Sequence, residues 1–112
     1  MTAAGPFVCN MNALSPEQRS RHNELERLLQ AALLQTHELS NGYDFQFRSD
    51  PEIYDALSQI TPLEHACCPF FSISIRLERT GELFWQLTGQ EGVKPFIRME
   101  FAEWFVNADG RI

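Results

Sequence analysis

The first third of the chain carries one apolar stripe with the spacing of an α-helix. Its apolar positions fall at i, i+3, i+4, i+7 and i+8, namely Leu25, Leu28, Leu29, Ala32 and Leu33. Ser15 and Gln18 have the spacing of a capping box, and Pro16 suits the first helical position. The Asn-Gly pair at 41–42 is typical of a helix end. The pattern therefore predicts a first helix between about Pro16 and residue 41.

Three segments alternate between apolar and polar residues, which predicts half-buried strands. They are residues 43–48, 70–79 and 83–87. The last two flank a three-residue loop in which Gly81 suits the left-handed position of a hairpin. The resulting register places apolar residues opposite one another, which supports it. The pairs are Leu77 with Leu83, Ile75 with Trp85 and Ile73 with Leu87.

Two more helices are predicted, one on each side of the hairpin. Asp50 is the expected cap of the earlier one. Thr61 and Glu64 have the spacing of a second capping box, and Pro62 cannot continue a helix without losing a hydrogen bond. We therefore expect an interruption at Thr61 and a short helical turn to about Cys67. The last helix has a wide apolar face, formed by Val93, Phe96, Ile97, Phe101, Trp104 and Phe105.

These elements follow the order α-β-α-β-β-α, which predicts an α+β fold. The first two strands are joined by a helix, so we expect them to be parallel through a right-handed crossover. The hairpin adds an antiparallel strand, giving a small three-stranded mixed sheet covered on one face by helices. We expect residues 1–112 to form a single domain, with an N-terminal arm at 1–13 and a polar tail at 107–112.

Composition limits the possible partners. The 112 residues are 44% hydrophobic and include nine Phe and two Trp, enough for one core without covalent staples. The net charge is −6, and nine basic residues are scattered among fifteen acidic ones, which argues against nucleic acid or an anionic membrane surface as partner. We also expect neither a membrane-spanning helix nor a signal peptide. We expect a cytoplasmic protein with three reduced thiols, as a monomer or a homodimer.

The candidate chemistry lies in the sequence EHACCPFF, which begins at Glu64. Cys67 and Cys68 are adjacent, and thiolates prefer soft metal or metalloid ions. A bridge between the two is disfavoured, because neighbouring Cα atoms are ~3.8 Å apart, below the usual ~4.4 Å. With Cys9 from the arm they would form a three-thiolate site for arsenite-like or mercuric species. A zinc ion would take His65 or Glu64 as fourth ligand, and no organic cofactor is predicted.

The hairpin register also suggests neighbours for the thiols. Continued backwards, it sets Phe71 opposite Gly89 and brings Cys68 close to Glu91 and Gly92 at the start of the last helix. The positive end of that helix dipole would lower a cysteine pKa and favour the thiolate. The two glycines would leave room for an incoming group.

Some polar residues also have structural interpretations. Glu64 is the capping-box partner expected for Thr61. His22 and His37 fall within the first predicted helix, where we interpret both as solvated surface residues.

The chain resembles a family of small bacterial proteins of uncharacterised activity. The shared pattern is an N-terminal cysteine, here Cys9, then E-x-x-C-C-P-F at 64–70 and L-T-G-x-E-G-V-K at 87–94. The resemblance covers nearly the whole chain, and the double-cysteine motif is its most specific part. It implies an association with heavy-metal or metalloid response, and it implies that Cys9 and Glu91 belong with the two adjacent cysteines.

Three functions are therefore open at this point. The first is binding of a soft metal or metalloid ion by Cys9, Cys67 and Cys68, as a sensor, buffer or carrier. The second is an interaction or dimerisation module whose cysteines are buried structural residues. The third is an enzyme with a nucleophilic or redox cysteine, for which the sequence shows no established catalytic signature.

Overall fold

The computed structural model describes residues 7–105 and confirms the α+β class. In chain order its elements are a 3-10 turn (Met11–Ala13), α1 (Pro16–Ala32), β1 (Leu33–Leu39), β2 (Gly42–Phe47), α2 (Pro51–Cys67), β3 (Ser72–Leu77), β4 (Leu83–Thr88) and α3 (Val93–Glu100). The predicted tail at 107–112 and the first six residues of the predicted arm lie outside the described residues. None of the helices between residues 7 and 105 has the length and apolar character that crossing a membrane requires.

Within residues 7–105, the four strands form one antiparallel sheet in the order β1-β2-β4-β3. The predicted three-stranded mixed sheet with a parallel crossover is therefore wrong. β4 lies between β2 and β3 and pairs antiparallel with both. Phe45 faces Trp85 and Phe47 faces Leu83 across the β2–β4 ladder. Pairing the two most buried strands in this way brings their large apolar side chains together, which stabilises the central ladder.

The additional strand, β1, replaces the predicted second half of the first helix. Helix α1 ends at Ala32, and the chain then pairs with β2 until Leu39 faces Gly42. The Asn-Gly pair at 41–42 thus belongs to a hairpin, in which Ser40 and Asn41 form the loop and Gly42 begins β2. His37 is exposed as expected, but it lies on β1 and its Nε2 is 3.3 Å from Gln46 Oε1.

The predicted hairpin between β3 and β4 is confirmed in register. The structure pairs Leu77 with Leu83, Ile75 with Trp85 and Ile73 with Leu87. Gly81 has the left-handed φ of 96° that the loop requires. This agreement follows from the apolar pairing, because a shift by one residue would turn every core-facing side chain of the strand to the other face.

Helix α2 runs from its expected cap to the cysteines. Asp50 Oδ1 accepts a hydrogen bond from Ile53 N at 3.0 Å, which confirms the cap. The predicted interruption at Thr61 is wrong, because the helix continues through Pro62 to Cys67. Thr61 Oγ1 donates to the carbonyl of Leu57 and accepts from the indole N–H of Trp85, at 2.7 and 2.9 Å. It therefore ties α2 to the sheet.

The core lies between the sheet and the helices and is rich in aromatic rings. The expected apolar face of the C-terminal segment is buried at Val93, Phe96, Ile97, Phe101 and Trp104, with Phe105 partly buried. Trp104 meets Phe45 edge to face, with ring centroids 5.2 Å apart. Such pairs add to the free energy gained from burial alone. This packing holds the C-terminal segment against the central strands.

We expect Gly42→Ala to disrupt the central ladder. A Cβ at residue 42 would lie 1.9 Å from the carbonyl oxygen of Leu87, a backbone atom that cannot move without breaking the β2–β4 pairing. The free energy of unfolding, measured by urea denaturation, should fall by about 2–4 kcal/mol. Gly81→Ala is the matched control, because it meets no atom within 4 Å and should cost only the strain of its positive φ, about 1 kcal/mol. Equal losses in the two variants would contradict the steric explanation.

Candidate functional site

The last turn of α2 carries three potential ligands on buried positions. Glu64, Cys67 and Cys68 are 3%, 1% and 0% exposed. The carbonyl of Glu64 accepts the N–H of Cys68 at 2.8 Å, which closes the helix. Pro69 follows and favours an extended conformation for Cys68, whose φ and ψ are −128° and 72°. The helix therefore stops with its two thiol-bearing residues inside the protein.

The N-terminal arm lies against this helix end. The N–H of Asn10 donates to the carbonyl of Cys67 at 2.9 Å, and the side chain of Asn10 caps the following 3-10 turn. On either side, Phe7 and Leu14 are buried in the core. These anchors place Cys9, which is partly exposed, directly beside Cys68.

Cys9 and Cys68 form a disulfide across 59 positions of sequence, with Cα atoms 4.8 Å apart. The expectation of three reduced thiols is therefore overturned. The physical reason is that the arm brings two distant cysteines to a separation suited to a bridge. Cys67 is not part of the disulfide and keeps its thiol, as the argument against a Cys67–Cys68 bridge predicted.

The carboxylate of Glu64 joins this disulfide to a histidine. Its Oε2 lies 3.4 Å from Cys68 Sγ, and its Oε1 lies 2.8 Å from His22 Nε2. The ligand atoms of Cys9, Glu64 and Cys68 all lie within 4.8 Å of one another. The predicted role of Glu64 as capping partner of Thr61 is wrong. Its charge is instead held by a buried imidazole on α1, beside two sulfur atoms.

His22 is the residue that sequence reasoning missed, since we interpreted it as solvated and it is buried. Burial lowers its pKa, but the hydrogen bond and charge of Glu64 and the charge of Glu26 outweigh that effect, so the pKa lies above its ordinary value. The position of His22 in the sequence could have indicated that it is buried. His22 lies three residues before Leu25 and thus on the apolar stripe of α1.

Cys67 points to a different neighbour. Its Sγ donates to the thioether of Met11 at 3.5 Å. Burial, together with the negative charges of Glu64 and Glu100, raises the pKa of the Cys67 thiol. The predicted lowering by the dipole of the last helix is therefore wrong for this cysteine, and the structure places it outside the group formed by Cys9, Glu64 and Cys68.

The remaining predicted residues do not belong to the group of ligand atoms that lie within 4.8 Å of one another. His65 is exposed and lines a shallow surface cavity with Thr61 and Ile73. Glu91 is also exposed. The space beside Gly89 is taken by Val93 and the carbonyl of Phe70, and the space beside Gly92 by the ring of Phe7. The two glycines therefore admit close packing of apolar residues, and the predicted room for an incoming group is filled.

Comparison with known proteins finds no matching family model, no matching curated protein and no matching solved structure. The function is therefore argued from the geometry of this site.

We expect the disulfide to contribute strongly to stability. Reduction should lower the free energy of unfolding by about 2–4 kcal/mol, because the unfolded chain regains the freedom of a long closed loop. Urea denaturation with and without a thiol reductant measures the difference. Cys9→Ala should be as stable as the reduced protein and insensitive to reductant, whereas Cys67→Ala should keep the sensitivity. A reductant effect in Cys9→Ala would contradict the assigned pairing.

We expect the contribution of His22 to depend on pH in the oxidised protein. Because its pKa is raised on folding, its stabilising effect is complete below the ordinary value of 6.5 and is lost as the pH rises through the folded value. His22→Gln should therefore cost about 1–2 kcal/mol of unfolding free energy near pH 5.5, and less near pH 9. His65→Gln, at an exposed position on α2, is the control and should show no such trend. A constant difference between wild type and His22→Gln would contradict this assignment.

Proposed function

We propose that the reduced protein binds one soft metal or metalloid ion through Cys9, Cys68 and Glu64. The observation that carries this proposal is the convergence of their ligand atoms within 4.8 Å. Reduction of the disulfide gives two thiols at this point, and deprotonation makes them the ligands that soft ions prefer. The resemblance to bacterial proteins associated with heavy-metal response points to the same chemistry.

The ligand set narrows the choice of ion. Two thiolates suffice for a mercuric ion, and two thiolates with a carboxylate would give zinc three of its four usual ligands. An arsenite-like species binds three thiolates, so Cys67 would have to turn away from Met11 to serve it. The role that fits is a sensor, buffer or carrier of such ions.

His22 would support this site without binding the ion. It holds one oxygen of Glu64 at 2.8 Å and leaves the other directed toward Cys68. Partners of this kind orient metal ligands and commonly change metal affinity by about 10–100-fold. In the disulfide neither sulfur is a thiolate, so the oxidised protein would be the form without a bound ion. Cys9, partly exposed on the arm, would be the first ligand that an incoming ion meets.

We expect reduced protein to take up one mercuric or zinc ion in native mass spectrometry, and oxidised protein to take up no zinc ion. Cys9→Ser and Cys68→Ser should each weaken binding at least about 100-fold, because each variant lacks one of the two thiolates that the ion prefers. Cys67→Ala is the matched control and should keep the affinity for mercuric ion. Unchanged uptake by the double Cys9→Ser, Cys68→Ser variant would overturn the proposal.

A second candidate function is thiol–disulfide exchange. It is favoured by the disulfide itself, which pairs a partly exposed residue, Cys9, with a fully buried one beside Glu64. Rapid reduction and re-formation of this bond in a glutathione buffer, with no ion uptake by the reduced protein, would select it. Slow exchange together with absent uptake would instead make Cys9 and Cys68 a structural cross-link, as the interaction-module alternative requires.

A further inference from the structure

A second pair of sulfur atoms lies on the same two segments as the disulfide. The Sγ of Cys67 and the Sδ of Met11 are 3.5 Å apart. Both residues are close in sequence to the disulfide cysteines, since Met11 is two residues after Cys9 and Cys67 is one residue before Cys68. The hydrogen bond from Asn10 N to the Cys67 carbonyl, 2.9 Å long, fixes the two segments against each other.

The distance between these two sulfur atoms suits coordination as well as packing. Two sulfur atoms that are 3.5 Å apart and each ~2.3 Å from one ion subtend an angle of about 100° at it, close to tetrahedral. Coordination would require only a small displacement of Met11, whose unbranched side chain adapts easily. Met11 is partly buried and packs against the core.

Thioether sulfur is a selective ligand. It carries no charge and binds soft ions such as copper(I), whereas zinc takes thiolate, imidazole or carboxylate ligands. On binding, the Cys67 sulfur would exchange its proton, which passes to the buffer, for a bond to the ion.

We propose that Cys67 and Met11 extend the site and select a soft monovalent ion, copper(I) or silver(I). This inference rests on the proposed function, since the pair lies on the same two segments of the chain as Cys9 and Cys68. It differs from that function in naming the class of ion and in adding a thiol–thioether pair to the ligands.

The test is a competition titration of reduced protein under anaerobic conditions with a chromogenic copper(I) chelator. Met11→Leu keeps the volume and apolar character of the side chain and removes only its sulfur. It should weaken copper(I) and silver(I) binding about 10–100-fold and leave zinc binding unchanged within about 2-fold. Met99→Leu, at an exposed position on α3, is the matched control and should change neither affinity.

The outcomes separate this inference from the proposed function. If Met11→Leu binds copper(I) and zinc as wild type does, the pair is packing and the inference is overturned, while the function stands. If wild type prefers copper(I), and both Met11→Leu and Cys67→Ala lose that preference, the inference is supported. If reduced wild type binds none of these ions, the proposed function and this inference both fail. Circular dichroism of each variant checks that a loss of binding is not a loss of folding.

Discussion

The arrangement of the site depends on one buried charge. Glu64 is 3% exposed, and a carboxylate removed from water is costly unless its oxygens find partners. His22 supplies one partner from α1, so the pair links the two helices at the level of the cysteines. With one oxygen held at 2.8 Å by the imidazole, the other faces Cys68 at 3.4 Å. The position of a negative group beside the disulfide is thus a consequence of how α1 and α2 pack.

The disulfide and a bound ion would connect the same two segments of the chain. Each joins the N-terminal arm to the end of α2 through Cys9 and Cys68. Reduction removes the covalent link, and an ion held by both thiolates would restore a link between the same two segments. Binding free energy would then appear as folding free energy, as in other proteins whose metal ligands come from distant parts of the chain. The arm keeps other contacts in either state, through Phe7, Leu14 and the Asn10 hydrogen bond.

The parts of the fold that could be predicted are those that depend on neighbouring residues. The register of the β3–β4 hairpin followed from pairing apolar residues across a short loop, and the cap at Asp50 from its spacing. The antiparallel sheet did not follow, because the alternation of residues 43–48 gives no indication that β4 rather than β3 is their neighbour. Strand β1 was missed because Leu33 continues the apolar spacing of the helix. Its place in a strand depends on pairing with Phe47, a tertiary contact that the local pattern does not show.

The same limit applies to the site. The cysteines and Glu64 could be proposed as site residues from residue type and adjacency. Their pairing could not be, because the disulfide depends on a contact across 59 positions of sequence. His22 is a polar residue on an apolar stripe, and only the packing of α1 on α2 shows that its partner is buried as well.

The two adjacent cysteines also have a structural explanation. Successive residues of an α-helix point about 100° apart, and Cys67 and Cys68 at the end of α2 contact different groups. Here Cys68 faces Cys9 and Glu64, and Cys67 faces Met11. The arm presents Cys9 and Met11 with Asn10 between them, and the backbone of Asn10 is bonded to that of Cys67. The two adjacent cysteines at the end of α2 thus face two sulfur-containing residues of the arm. Cys68 is bonded to Cys9, and Cys67 contacts Met11.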